Sequence, residues 1–298
     1  MTDDKSRQIS GMIFVIISGM MFGTMPLMAK AAYSLGSNAF SVSFGRFVTG
    51  TVFSGIVVLI RYGSLFSISR RQVLYIAFLA VFFSALPCVL YASYRYIDSG
   101  LATMLHFTYP VVVTLISALV FRKRIGKATI LCVVLCMAGV LLMYNFQGAN
   151  DATGMILALV SGLIYSIYIV GLEHGGLEGL PVLLITFWLS LFCAVFVFLF
   201  NIPTHVLVLD IGWKVWIPYA GLGLIATVIG VPCFQTGVAR CGAIRSSLLS
   251  TVEPITSLII GVIVFDENLG LRSLLGIALI LVSVCILVLS RKAEQLKV

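Results

Sequence analysis

Charged residues are scarce in this chain: Asp, Glu, Lys and Arg make up 10% of its 298 residues, whereas hydrophobic residues make up 60%. A soluble domain carries roughly 25% charged residues, so these charges are too few to cover a water-exposed surface. The composition excludes a soluble globular protein. It predicts a chain that is surrounded mostly by lipid.

The sequence also lacks the motifs of metal sites, nucleotide-binding proteins and known intramembrane enzymes. Its seven cysteines form no CxxC pattern, and its three histidines are scattered, which argues against the common zinc sites and against a disulfide framework. There is no HExxH motif, no serine–histidine arrangement and no pair of carboxylates deep in an apolar run. We therefore expect no metal, no cofactor, no ATP hydrolysis and no enzymatic activity.

What the sequence does contain is apolar runs of about 20 residues, the length that crosses a bilayer as a helix. They recur along the whole chain and leave no room for a soluble domain. The N-terminus, MTDDKSRQIS, contains two acids and does not read as a cleaved signal peptide. We predict an all-α integral membrane protein with ten transmembrane helices, at residues 9–30, 40–60, 72–95, 100–121, 128–146, 154–172, 181–200, 214–238, 244–264 and 271–290.

The net charge of +8 is distributed unevenly over the loops that these spans define. Fourteen Lys and Arg residues lie on the side of the N-terminus and four on the other side. Cytoplasmic loops carry the excess of Lys and Arg, so the pattern predicts a multi-pass protein of the cytoplasmic membrane with both termini in the cytoplasm. The same pattern assigns the positive charge to membrane topology and not to nucleic-acid binding.

Three stretches of the sequence return after a nearly constant interval of 143, 145 and 144 residues. This repeat divides the chain at 1–150 and 151–298, with five predicted spans in each half. Because five is odd, the second half must enter the membrane from the opposite side, which predicts two inverted five-helix repeats. Such repeats are common in secondary transporters, whose substrate site lies near the bilayer midplane. The matched stretches begin at Gly11 and Gly154, at Pro87 and Pro232, and at Pro110 and Pro254.

Particular motifs strengthen this interpretation. SGMMFGTMPLMAK and FGRFVTG, the latter with Arg46, are similar to the first two helices of the EamA-like branch of the drug/metabolite transporter superfamily. LLSTVEPITSLIIGVIVFDENLGLRSLLGIALI, with Glu253 and Glu267, resembles the most recognisable stretch of that family. The first half departs from the family pattern, which often has an acidic residue at this place. Lys123 occupies the position in the first half that corresponds to Glu267 in the second. The resemblance implies a ten-span transporter that exports or exchanges a small metabolite, such as an amino acid, a nucleoside, a sugar or a drug-like compound.

Ionisable groups deep in a span are costly and usually face a cavity or a partner. Glu253 is the only acid near the middle of a predicted span, and it is interpreted as a substrate-amine contact or a protonatable coupling group. Its alternative is structural pairing with Arg46, Arg240 or Arg245. Arg46 could bind a substrate carboxylate, but the resemblance implies an arginine here across varied substrates, which favours a structural or coupling role.

Aromatic and amide side chains on the same spans complete the candidate site. They could line an apolar pocket with a few polar groups, which suits an amphipathic small molecule such as an amino acid, or they could form hydrogen bonds between helices. Paired prolines at matching positions of the two halves are predicted to form hinges or cavity walls. An intramembrane enzyme and a passive channel are the alternative functions. The predicted substrate-binding residues are Tyr91, Tyr94, His106, Tyr109, Tyr165, Gln235 and Glu253, and the predicted structural or coupling residues are Arg46, Pro87, Pro110, Pro232 and Pro254.

Overall fold

A computed structural model describes residues 2–65, 67–93, 96–97, 102, 105–143, 151–177, 179–208, 210–265 and 270–295. Every regular element among these residues is helical, as the composition predicts. The helices are α1 (Thr2–Gly23), α2 (Met25–Ser34), α3 (Ala39–Tyr62), α4 (Arg70–Ser93), α5 (Tyr109–Leu119), α6 (Lys127–Met143), α7 (Ala152–His174), α8 (Val182–Thr204), α9 (Trp216–Gly221), α10 (Val231–Cys241), α11 (Ala243–Leu249), α12 (Val252–Phe265) and α13 (Leu271–Gln295). A 3₁₀ turn, Trp213–Val215, precedes α9, and a π-helical segment, Leu222–Gly230, joins α9 to α10.

Six helical segments are long and apolar enough to cross a membrane, and helical residues occur within all ten predicted ranges. Shorter apolar helices lie at Tyr109–Leu119, Lys127–Gly139 and Leu274–Ser283. The protein is therefore an all-helical, multi-pass membrane protein. The six long segments are Ser6–Ser34, Ala39–Tyr62, Arg70–Leu90, Ala152–His174, Val182–Thr204 and Trp213–Cys241.

Local sequence signals set several helix ends. The Asn38 side chain accepts a hydrogen bond from the Ser41 N–H at 2.8 Å and caps the start of α3, and Gly63 ends the same helix in the left-handed conformation (φ 71°) that glycine adopts readily. Asp151 caps α7 by accepting a hydrogen bond from the Thr153 N–H at 2.6 Å. That hydrogen bond favours the charged carboxylate and holds the pKa of Asp151 below its usual value.

Helices from the first half of the chain pack mainly against helices from the second half. Helix α1 contacts α10 and α12, while α7 contacts α4 and α5. Helix α3 packs against α8 and against the π-helical segment, and α6 packs mainly against α13. This arrangement brings α1, α5, α7, α10 and α12 together around the interior of the bundle, where the candidate site lies.

Small residues allow the closest of these contacts. A Cβ on Gly139 of α6 would lie 2.7 Å from the Gly276 carbonyl oxygen of α13, so the two backbones touch. Beside this contact, the Sγ atom of Cys136 lies 3.1 Å from Oγ of Ser283. The cysteine thus acts as a small packing residue with a weak hydrogen bond, in keeping with its apolar surroundings.

Candidate functional site

Two helix breaks lie at matching positions of the two halves. The first separates the turn at Leu105–His106 from α5, and the second separates α11 from α12. Each break is followed by a proline in the first turn of the next helix, Pro110 in α5 and Pro254 in α12. The first N–H groups of a helix have no partner within it, so proline loses no hydrogen bond there. These two prolines mark helix starts and do not kink a continuous helix.

The other two predicted prolines have different surroundings. Pro87 lies inside α4, and Pro232 is the second residue of α10, directly after the π-helical segment. Ser18 of α1 donates a hydrogen bond at 2.8 Å to the carbonyl oxygen of Gly230. This bond connects α1 to the point where the π-helical segment changes to α-helix. Short π-helical segments within α-helices are common at functional sites.

Aromatic rings gather at the first helix break. The Tyr109 ring lies 4.9 Å from the Tyr165 ring of α7 and 5.4 Å from the His106 imidazole, measured between centroids. The Tyr165 ring is 5.7 Å from His106 and 6.0 Å from Phe234 of α10. The structure thus brings together three of the predicted residues, His106, Tyr109 and Tyr165, and adds Phe234, which the sequence did not single out because it carries no polar group.

The Tyr109 hydroxyl is the most informative group in this cluster. Tyr109 is fully buried, and its Oη makes no hydrogen bond of ordinary geometry with the described residues. It lies beside Ser250 and within electrostatic range of Glu253. Buried polar groups are almost always hydrogen-bonded, and one left without a partner costs about 1–3 kcal/mol. A ligand or water molecule could satisfy this hydroxyl.

Glu253 occupies the position in the second half that Tyr109 occupies in the first, directly before the proline and 144 residues later. Its side chain is half-buried although it lies deep in the bundle, which is typical of a group that faces an internal space. Its carboxylate forms neither an ion pair nor a hydrogen bond with the described residues. The predicted pairing with Arg46, Arg240 or Arg245 is therefore absent from this part of the chain.

Helix α1 approaches the second break closely. A Cβ on Gly19 would lie 3.4 Å from the Glu253 nitrogen, and a Cβ on Gly23 would lie 2.9 Å from the Glu253 carbonyl oxygen. The Ser257 hydroxyl donates to the Gly23 carbonyl at 3.0 Å. The GxxxG motif of α1 thus lets two backbones approach each other, which is its usual role in membrane helices.

Arg46 is buried and contributes to helix packing. Its Nε donates a hydrogen bond to Thr227 Oγ1 in the π-helical segment at 3.1 Å. Its guanidinium lies 5.5–6.0 Å from the ring centroids of Phe22, Phe47 and Phe83, within the range of cation–π attraction. Its charge also acts on Glu253, without direct contact. These contacts favour the structural interpretation of Arg46.

Gln235 and His106 each make hydrogen bonds with other helices. The Gln235 amide accepts from Thr186 Oγ1 of α8 at 3.1 Å and donates to Tyr168 Oη of α7 at 3.3 Å. The His106 Nδ1 is 3.0 Å from Ser161 Oγ of α7. Gln235 therefore connects three helices. These contacts agree with the alternative that the polar side chains form hydrogen bonds between helices and do not line a pocket.

Two of the predicted substrate-binding residues lie where the structure does not describe the side chain. Tyr94 lies outside the described residues, as does the side chain of Tyr91. Within the described ranges, no group of three or more His, Cys, Asp or Glu residues could hold a metal ion.

Comparison with known proteins identifies the family. The model of the EamA-like transporter family matches the chain twice, over residues 9–145 and 152–289. An "uncharacterized transporter" of Archaeoglobus fulgidus is 26% identical over 272 residues, which cover 91% of this chain and 94% of that relative. The "uncharacterized transporter YetK" of Bacillus subtilis is 24% identical over 221 residues, 69% of this chain and 64% of YetK.

A protein of known crystal structure has the same fold, with a TM-score of 0.82 at 17% identity over 96% of this chain and 99% of that chain. The family and these relatives support a general transport role, with a small-molecule substrate and a lipid environment. Because the family model matches nearly the whole length, the chain belongs to the EamA-like transporter family.

Proposed function

We propose that the protein is a secondary transporter that exports a small amphipathic metabolite by alternating access. In this proposal the halves 1–150 and 151–298 form two inverted repeats of five spans, ten in all, with both termini in the cytoplasm. Such halves can exchange conformations around a fixed central site.

The packing of the helices supports this arrangement. Helix α1 of the first half contacts α10 and α12 of the second, and the corresponding helix α7 contacts α4 and α5. The α3–α8 and α6–α13 contacts each join corresponding helices of the two halves. The two separate matches to one family model, over 9–145 and 152–289, also support a duplicated chain.

One observation carries the proposed location of the substrate site. Tyr109-Pro110 and Glu253-Pro254 occupy equivalent positions at two helix breaks, and the charge of Glu253 acts on the Tyr109 hydroxyl. Broken helices around a central cavity are typical of transporter sites. A hydroxyl and a carboxylate that have no hydrogen-bond or ion-pair partner among the described residues could hold the polar end of a substrate.

The surroundings of these two groups favour a ligand with an amine and an apolar body. The carboxylate of Glu253, which forms no ion pair within the described part of the chain, would attract an ammonium group. Tyr165 and Phe234 offer aromatic faces to an apolar part. An amino-acid-like metabolite combines both features. Burial disfavours the charged carboxylate, so Glu253 could hold a proton while the site is empty and release it when a cation binds. Export is the direction that the family resemblance implies.

A screen followed by a flux measurement tests this function. The purified protein is melted in the presence of amino acids, amines, nucleosides and sugars, because a ligand at about 100 times its Kd stabilises the fold by about 2.7 kcal/mol. The best ligand is then supplied in radiolabelled form to proteoliposomes. Saturable flux is expected, whereas non-saturating flux would favour a channel and conversion of the ligand without flux would favour an enzyme.

Substitution of Glu253 tests the role of the carboxylate. Glu253→Gln should fold with nearly unchanged stability, because in this proposal the carboxyl group of the empty site is protonated, and an amide of the same shape is likewise uncharged. The apparent affinity for the ligand, measured from ligand-induced stabilisation, should fall at least tenfold. The flux should lose its pH dependence. Asp210→Asn, at an exposed loop position, is the matched control. Unchanged binding, flux and pH profile in Glu253→Gln would contradict the proposed role.

A further inference from the structure

An ion pair joins the two halves of the chain at some distance from the candidate site. The Lys123 Nζ lies 2.7 Å from Glu173 Oε2, and the two side chains are 36% and 18% exposed. Next to this pair the Phe121 ring stacks on His174, with 3.7 Å between the ring centroids. Lys123 and Phe121 follow α5 of the first half, whereas Glu173 and His174 are the last residues of α7 in the second half.

The backbone holds both partners in place. Arg122 adopts a positive φ of 51°, which is uncommon for a residue other than glycine. In this turn the Lys123 backbone N–H donates a hydrogen bond to the Ser117 carbonyl oxygen, with 3.1 Å between nitrogen and oxygen. On the other side, a Cβ on Gly242 would lie 2.8 Å from Glu173 Oε1. The carboxylate thus also packs against the junction of α10 and α11.

The pair lies at the ends of the two helices that hold the candidate site, with Lys123 just after α5 and Glu173 in the last turn of α7. Helices α5 and α7 meet at the Tyr109 and Tyr165 rings, and the Ser166 hydroxyl donates to the Tyr109 carbonyl at 3.2 Å. Glu173 is eight residues beyond Tyr165, or about 12 Å along the helix. Lys123 and Glu173 therefore bridge the ends of α5 and α7 that point towards one face of the membrane.

Contacts of α1 identify this face. The Arg240 Nη1 donates a hydrogen bond to Ser10 Oγ, near the start of α1, at 2.7 Å. Arg240 is only two residues before Gly242, against which Glu173 packs. The ion pair therefore lies on the side of the membrane that carries the N-terminus, and we call this end of the bundle the N-terminal mouth.

The repeat adds a feature that the sequence alone shows. Lys123 of the first half corresponds to Glu267 of the second, and Glu173 of the second half corresponds to Lys30 of the first. At both pairs of positions the sign of the charge is reversed between the halves. Because Glu267 lies outside the described residues, the inference rests on Lys123 and Glu173.

We propose that the Lys123–Glu173 ion pair is a gate contact that holds the N-terminal mouth closed and breaks once in each transport cycle. This role depends on the proposed alternating access, because a mouth has to open only if the site is reached from both sides. A partly exposed ion pair suits a reversible gate. Such pairs contribute up to about 1 kcal/mol, so loss of the pair shifts the ratio of open to closed molecules by about fivefold.

Distances between spin labels measure this ratio without any ligand. Labels are attached at Lys127→Cys and Ala239→Cys, both at exposed positions near the mouth, in full-length protein whose seven native cysteines are replaced. The reconstituted protein is then studied by double electron–electron resonance. Lys123→Glu and Glu173→Lys place like charges together, so each should raise the ratio of the long-distance to the short-distance population about fivefold or more. The double variant Lys123→Glu/Glu173→Lys restores the attraction and should return this ratio to the value of the unsubstituted protein.

Arg124→Glu is the matched control, because it makes the same charge change at an exposed neighbouring position. Equal shifts in Arg124→Glu and Lys123→Glu, or a double variant that is not restored, would overturn the gate. If the unsubstituted protein shows two distances that charge reversal leaves unchanged, the gate is wrong and alternating access stands. If every variant shows a single distance and no ligand of the screen gives flux, alternating access itself is wrong.

Discussion

The contact between α1 and α12 makes a sharp prediction, because two glycines of one helix face the same neighbour at different distances. A Cβ added to Gly23 would lie 2.5 Å from Thr256 Cβ and 2.9 Å from the Glu253 carbonyl oxygen. A Cβ added to Gly19 would have its nearest neighbour, the Glu253 nitrogen, at 3.4 Å. We therefore expect Gly23→Ala to destabilise the protein and Gly19→Ala to be tolerated.

The expected magnitudes follow from these distances. Overpacking of a tight contact costs about 1–3 kcal/mol, and in Gly23→Ala one of the opposing atoms is backbone, which cannot move aside without shifting α12. Alanine in a helix interior gains up to about 1 kcal/mol over glycine. At Gly19 no clash offsets this gain, whereas Gly23 is the last residue of α1 and gains less. We expect a net loss of about 1–2 kcal/mol for Gly23→Ala and a change between zero and a gain of about 1 kcal/mol for Gly19→Ala.

Thermal unfolding in one detergent, followed by tryptophan fluorescence at a fixed heating rate, measures the difference. At this chain length about 1 kcal/mol corresponds to about 2 °C, so Gly23→Ala should melt about 2–4 °C below the unsubstituted protein. Gly212→Ala is a control for alanine substitution itself, because a Cβ there meets no atom within 4 Å. Equal melting temperatures for Gly19→Ala and Gly23→Ala would refute the packing argument.

Two further predictions test the site and the topology. Tyr109→Phe removes a buried hydroxyl that has no hydrogen-bond partner among the described residues. It should leave the melting temperature unchanged or higher while weakening ligand-induced stabilisation. Tyr168→Phe leaves the Gln235 amide without its acceptor and should cost about 1–3 kcal/mol. A loss of stability in Tyr109→Phe as large as that in Tyr168→Phe would show that the Tyr109 hydroxyl has a structural partner. The excess of Lys and Arg predicts that both tails lie in the cytoplasm. Single cysteines placed in the N-terminal and C-terminal tails of a cysteine-free variant should therefore resist a membrane-impermeant thiol reagent on intact cells. Rapid labelling would reverse the predicted orientation.

Features that depend on neighbouring residues in the chain could be predicted from the sequence. Apolar length predicts the membrane helices: the predicted span 40–60, for example, lies within Ala39–Tyr62. The recurrence of Pro110 and Pro254 marks both helix breaks, although proline alone does not show that the helix is interrupted before it. The π-helical geometry of Leu222–Gly230 was not predictable, because an apolar run has the same composition in α and π helices.

The roles of the candidate residues depended on partners far away in the chain. Gln235 and Glu253 are both polar residues within apolar runs, and sequence reasoning treated them alike. Only the tertiary structure shows that the Gln235 amide is occupied by Thr186 and Tyr168, whereas the Glu253 carboxylate has no partner among the described residues. The Lys123–Glu173 contact likewise joins positions 50 residues apart. A sequence alone determines which groups are costly to bury, but whether a group is satisfied is decided by the side chains that folding places within hydrogen-bond distance.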